Sequence, residues 1–195
     1  MMGVMSGATT RKQQTHDRIL DVASRVIRRA GYNGVGLANI MKEAGLTHGG
    51  FYAHFPSRNA LLVEATQRAG RDTGAVLLER MGQAQAKGMS PFSALVTTYL
   101  ADDQLDNAEC GCVVVALASE VPRQTDDVAS AARARVMALV ALVRRSLPAG
   151  AEPGHAQMAV ATMVGALQLA RTLPAKDGKA WLANARASLI QQYDA

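Results

Sequence analysis

Residues 31 to 62, GYNGVGLANIMKEAGLTHGGFYAHFPSRNALL, leave little freedom in what this chain can fold into. Leu37 to Ala44 carries a short helical pattern that Gly45 stops, and Thr47 offers a side-chain oxygen to cap a second short helix. Pro56 ends that second helix and Ser57 caps a third. Two short helices joined by a tight turn form a helix-turn-helix, whose second helix is the part that enters a DNA major groove. That helix would present Thr47, His48, Gly49, Gly50, Phe51, Tyr52, Ala53 and His54.

The flanking segments read as helices throughout. From Thr10 to Ala30 the apolar positions Ile19, Leu20, Ala23, Val26, Ile27 and Ala30 follow the spacing of one buried stripe, stopped at Gly31. After Ser57 a longer helix runs through Leu61, Leu62, Ala65, Ala69, Val76 and Leu77 to about Met81, and Gly70 and Gly74 predict a kink or break in its middle. Ser90-Pro91 opens a helix to about Asp103, and Cys112 to Glu120 is a short apolar helix that Pro122 breaks. Thr125 or Asp126 opens a long helix to Ser146, with Val128, Ala131, Ala132, Val136, Leu139, Val140 and Val143 inward. Gly154 to Leu173, a turn over 174–178, and Lys179 to Tyr193 complete the pattern. The expectation is an all-α protein: a disordered arm at 1–10, a three-helix helix-turn-helix domain at 11–58, and a helical ligand-binding and dimerisation domain at 59–195. About nine helices are predicted in all. Aromatics at 4% and an abundance of Ala, Leu and Val agree with closely packed helices rather than a sheet.

The charge is placed unevenly. The formal net charge is +5, and residues 1–70 hold nine Lys or Arg against four acids, while residues 71–195 balance. The excess therefore lies on the segment with the helix-turn-helix pattern, where it would attract phosphate. No signal peptide or membrane-length apolar run is evident, so a cytoplasmic protein is expected. Cys110 and Cys112 are too close in sequence for an unstrained disulfide, and one C-x-C is a weak metal signal, so neither metal nor cofactor is expected. No nucleophile triad, phosphate loop or dinucleotide fingerprint argues for an enzyme.

Ile19-Leu20, Ala23, Gly31-Tyr32, Ile40, Ala44-Gly45, the run from Thr47 to Arg58 and Leu61-Leu62 resemble the TetR family of bacterial transcription regulators. The likeness is strong over residues 15 to 62; beyond residue 70 it is architectural. By resemblance, Thr47, Tyr52, His54 and Arg58 sit where the family contacts DNA phosphates, and each can donate to a phosphate oxygen. His48, Gly49, Gly50 and Ala53 occupy positions facing base edges, and Asn39 can add a base or phosphate contact. Phe51, Phe55, Ile40, Leu46 and Leu37 read as core. Two positions depart from the family: Gly36 stands where a capping Ser or Thr is usual, and Ala38 where an Arg often reaches DNA.

The helix over residues 156–170 is apolar on nearly every side, which requires burial on all sides. The resemblance implies that the last two helices of each subunit form a homodimer, with Met158, Met163, Leu167, Leu182 and Leu189 at the interface. Candidate ligand-lining residues for a small-molecule inducer are Leu77, Met81, Tyr99, Cys112, Val115, Leu117, Met137, Val140 and Gln168. Cys112 is the most suggestive, because one electrophile-responsive family member uses a cysteine placed this way as its sensor, and a helix N-terminus favours the reactive thiolate. The resulting expectation is a ligand-responsive regulator of a double-stranded DNA operator, most simply a repressor; the alternative is a helical dimeric interaction or sensor module with weak or no sequence-specific DNA binding.

Overall fold

The computed structural model describes residues 10–34 and 36–194, and every regular element among them is helical. The expected arm at 1–10 falls, apart from Thr10, outside the described residues. Helix α1 (Arg11–Ala30) begins where Thr10 Oγ1 accepts the Gln13 N–H at 3.2 Å, and it buries Ile19, Leu20, Ala23, Val26 and Ile27. Helix α2 (Leu37–Glu43) buries Ile40 and Met41, and the chain reverses at Gly45 with φ +69°.

The next element departs from expectation. His48–Ala53 is a 3-10 helix, and Thr47 makes no side-chain cap. Adjacent Gly49 and Gly50 have the weakest α-propensity apart from proline, and a six-residue segment adds too few hydrogen bonds to overcome it. Phe51 and Phe55 nevertheless hold this segment against α1, their rings 5.6 Å apart, with His16 of α1 stacked on Phe55 at 4.4 Å.

Helix α3 (Arg58–Gln85) starts at Ser57, whose hydroxyl accepts the Ala60 N–H at 3.1 Å. Its 28 residues continue through Gly70 and Gly74 without the expected break, a length of about 42 Å. One end of α3 therefore packs on α1, and the remainder packs on α4 (Pro91–Tyr99) and on α6 (Asp126–Ser146). Two 3-10 turns follow α4, then α5 (Val113–Leu117), which passes into a 3-10 segment over Ala118–Arg123 that contains Pro122. α7 (His155–Ala170) and α8 (Ala175–Tyr193) close the bundle, α8 starting directly after Pro174 rather than at Lys179.

The expected dimer residues divide in two. Met163 and Leu167 are fully buried within the single chain, as is Leu182, and Leu189 is 2% exposed. They serve the subunit's own core, so they are not available to a partner. Met158 alone of the five faces outward, at 59% exposed, on a stripe with Leu169; Leu173, just past α7, and Trp181 of α8 are further exposed apolar side chains. The sequence shows that α7 is apolar all round but not which side its own chain covers.

The segment over 109–120 is fastened to the end of α1. The Glu120 carboxylate accepts the N–H of Tyr32 at 3.0 Å and of Asn33 at 3.4 Å. It approaches so closely that a Cβ at Gly31, where φ is +73°, would lie 1.9 Å from a carboxylate oxygen. Arg29 donates to Glu109 at 2.8 Å, and Arg28, nearly buried, reaches the Ala69 carbonyl and the Thr73 hydroxyl, which in turn donates to the Gly111 carbonyl.

Candidate functional site

Around the helix-turn-helix, the apolar residues turn in and the polar ones turn out. Ile40, Phe51 and Phe55 are fully buried, with Leu37 and Leu46 packed against them. Thr47, His48, Gly49, Tyr52 and Ala53 lie exposed on one surface, and Asn39 of α2 is exposed as well. Tyr52 is 68% exposed, its ring edge-on to Phe51 at 5.2 Å, which holds the phenol out from the core. Gly50 is half-buried, with the Met41 side chain the nearest neighbour to a Cβ there. This is the geometry that a groove-reading element requires: few side chains, all anchored from behind.

His54 and Arg58 sit differently from the rest. His54 is half-buried with Nδ1 unpartnered, its ring 6.3 Å from that of His16. Burial, then the neighbouring His16 and Lys12 charges, push its pKa below the ordinary value. Arg58 donates to the Tyr32 carbonyl, so part of its guanidinium is committed to the fold. The basic excess is likewise divided. Arg28 and Arg29 face the 109–120 segment and its neighbours, and Arg68 pairs with Asp21 and Asp72. Arg11, Lys12, Arg18 and Lys42 remain exposed without an ion pair among the described residues.

The same stretch, residues 19–65, matches the family of bacterial regulatory proteins described as the tetR family. Residues 19–65 of this chain are a TetR-family helix-turn-helix region. It is similar to the transcriptional repressor NemR of Escherichia coli strain K12, 26% identical over 147 residues that span 72% of this chain and 71% of NemR. Its fold is shared by the crystal structure of E. coli NemR in reduced form, with a TM-score of 0.73 at 23% identity over 90% of this chain and 95% of that one. A TetR regulator from Chloroflexus aurantiacus superposes with a TM-score of 0.75 at 22% identity, over 94% and 98% of the two chains. The chain accordingly carries a TetR-family helix-turn-helix region at its N-terminal end and shares the fold of TetR regulators, with a helical C-terminal region.

In this fold the helices beyond residue 58 line a partly open cavity of about 110 Å³ between α3, α4, α5 and α6. Leu77, Tyr99 and Cys112 of the expected ligand-lining set meet there, with Leu139, Leu142, Val113 and Val114. Met81, Val115 and Leu117 are buried in the core elsewhere, and Val140 is packed against it. Met137 is 65% exposed and Gln168 is exposed, so neither lines this cavity. Sequence reasoning missed Thr73 and Arg135 in its wall. Arg135 was findable: it falls three residues after Ala132 and four before Leu139 on the inward stripe of α6, a charge where the pattern calls for an apolar side chain. Both cysteines are free, Cys110 exposed and Cys112 buried. No helix among the described residues is long and apolar enough to cross a membrane.

Proposed function

We propose that this protein is a dimeric repressor that binds a double-stranded DNA operator and releases it when a small molecule occupies the helical half. The observation that carries the DNA-binding reading is the exposed surface of Thr47, His48, Gly49, Tyr52 and Ala53 anchored by buried Phe51 and Phe55. The repressor assignment follows the name of the E. coli relative. Thr47, Tyr52 and His54 would contact phosphates, and His48, Gly49, Gly50, Ala53 and Asn39 would face bases. Fluorescence anisotropy on the DNA flanking its own gene tests this: tight, salt-dependent binding to one segment over scrambled DNA is expected, and equal affinity for both would overturn it.

Tyr52→Phe should weaken binding about fivefold on every sequence, because a phosphate contact carries no sequence information. His48→Ala should instead change which operator variants are preferred, by about 1–3 kcal/mol of discrimination. A Tyr52→Phe protein with unchanged affinity would remove the phosphate role. Arg58→Ala is a poorer probe, since the Arg58 bond to the Tyr32 carbonyl would be lost with any DNA contact.

Proton linkage gives an independent check. In free protein the His54 pKa is depressed, so the neutral ring is the stable form above the ordinary histidine range, and stability is lost as pH falls through the depressed value. A phosphate beside the ring would favour the charged form, so DNA binding should take up a proton and tighten as pH falls from about 8 to about 6. His54→Gln should flatten that dependence, and an equal slope in both proteins would show the proton goes elsewhere.

Dimerisation would use the outward stripe of α7, not the residues its core holds. Met158 and Leu169 share an exposed apolar face of α7, and Leu173 and Trp181 are exposed apolar side chains on the segments that follow; exposed apolar side chains of this size mark an association face. Leu169→Glu should give monomers in analytical ultracentrifugation with helical content unchanged, because a lone charge would be buried between subunits. A stable dimer in that variant would move the interface elsewhere. Met163→Lys is uninformative here, because it would place a charge in the subunit's own core.

A further inference from the structure

We propose that Cys110 and Cys112 form a two-sulfur clamp for a trivalent arsenical that carries one carbon substituent. The chain holds two cysteines in all, and both are free. Both line one small cavity of about 40 Å³ between α3, α4 and the 3-10 turns that follow α4, with Thr73, Leu77, Tyr99 and Gln104. The backbone between them explains why. Gly111 is extended, at φ −75° and ψ −177°, and side chains on either side of an extended residue leave the same face. Gly111 is also held in place. Its N–H donates to the Ala108 carbonyl at 3.3 Å, and its carbonyl accepts from the Thr73 hydroxyl at 3.2 Å. The Arg171 guanidinium lies so close that a Cβ at Gly111 would sit 2.6 Å from it. Both sulfurs also lie within electrostatic reach of one cation: burial lowers the Arg28 pKa, and Cys110 and Cys112 each raise it. A thiol pair on a backbone pinned this way is arranged before any ligand arrives, which lowers the ordering cost of binding.

The spacing selects the chemistry. Cα atoms flanking an extended residue lie roughly 6–7 Å apart, at the far end of the span of about 4.4–6.8 Å that a disulfide accepts. An atom inserted between the sulfurs relieves that stretch. No group of three or more Cys, His, Asp or Glu among the described residues could hold a metal ion, so a tetrahedral zinc would lack ligands here. A linear two-coordinate ion needs its sulfurs on opposite sides of it, whereas these thiols leave one face. Pyramidal arsenic with one carbon substituent takes two sulfurs from the same side, and thiolates are soft ligands that suit it. With methylarsonous acid, two S–H bonds and two As–OH bonds break and two As–S bonds form. The protons and hydroxyls leave as two waters, and the arsenic stays trivalent. The small cavity suits a methyl substituent better than an aryl one. Cys110 is exposed and Cys112 buried, so an incoming arsenical meets Cys110 first and closes onto Cys112. Any effect on DNA rests on the reading of the helical half as the inducer site.

The test adds methylarsonous acid to reduced full-length protein, counts bound arsenic by intact mass spectrometry and counts remaining thiols by colorimetric titration. One arsenic per chain, no titratable thiol, and an adduct that survives excess glutathione are expected. Cys110→Ser, a change at an exposed position, and Cys112→Ser should each lose at least about 100-fold in affinity, because the second As–S bond forms within one molecule. Native affinity in Cys110→Ser would overturn the clamp and leave Cys112 acting alone. An adduct that joins two chains through one arsenic would also overturn it, as would one that glutathione strips from the native protein as readily as from Cys110→Ser. Fluorescence anisotropy with bound DNA then separates the two claims. An adduct that forms and releases DNA supports both. An adduct that forms while DNA stays bound keeps the clamp and overturns the inducer-site reading for this end of the helical half. If no adduct forms, the clamp falls, and the inducer-site reading is judged by whether neutral apolar compounds release DNA.

Discussion

In Phe51→Ala protein the unfolding free energy should fall by about 3–5 kcal/mol, the usual cost of emptying a buried phenylalanine site. Phe51 is fully buried and touches two other rings, Phe55 at 5.6 Å and Tyr52 at 5.2 Å. Backbone bonds from the Gly50 N–H to the Thr47 carbonyl and from the His54 and Phe55 N–H groups to the Phe51 carbonyl hold the segment in place, which limits collapse into the space. Native domains have only about 5–15 kcal/mol in total, so the loss is a large share. DNA binding should disappear with it, since Tyr52 stands outward on the Phe51 ring. Urea unfolding followed by circular dichroism measures the change. A loss below about 1 kcal/mol would mean the site repacks and the anchoring argument is wrong.

Glu120→Ala should have the next largest effect, about 1–3 kcal/mol, because a charge-assisted pair of backbone bonds is lost and the Tyr32 N–H is left without its acceptor. Its more telling consequence is local. Hydrogen exchange at Tyr32 should accelerate, and the end of α1 should lose its tie to the segment that carries Cys112. Glu109 would then be the chief remaining clasp, through Arg29. If cavity occupation is sensed through this tie, Glu120→Ala should bind DNA but respond weakly to any inducer; a full response would assign the coupling to α3 alone. Unchanged exchange at Tyr32 would mean the carboxylate bonds do not protect it.

The helix-turn-helix was legible because each of its boundaries is marked by one residue with one physical consequence. Gly45 reverses the chain with a positive φ, Ser57 caps α3, and Phe51 and Phe55 alternate with polar neighbours. What was not legible depended on partners distant in sequence. Gly70 reads as a weak point in a helix until Arg135 is found lying over it, and then the small residue is a fit rather than a break. Met163 and Met158 have the same hydrophobicity and lie five residues apart; only the position of α8 and α6 makes one of them core and the other surface. The 3-10 form of His48–Ala53 was expected as an α-helix because the cap at Thr47 looked sufficient, yet the cap is not made and two glycines prevail.

Those two glycines have a further consequence for how this molecule could be altered. A Cβ added at Gly49 meets nothing within 4 Å, and at Gly50 the first neighbour is the Met41 methyl at 3.8 Å. Neither has a positive φ, so an ordinary side chain is compatible with the backbone at both positions. New functional groups could be added to the reading surface without remaking the domain beneath it. An asparagine or arginine at Gly49 would be a short evolutionary step, or a single design choice, toward a different operator. On the DNA-reading role proposed for this surface, it carries unused coding capacity at its centre, and duplicated copies would be free to diverge in target while keeping the same helical half.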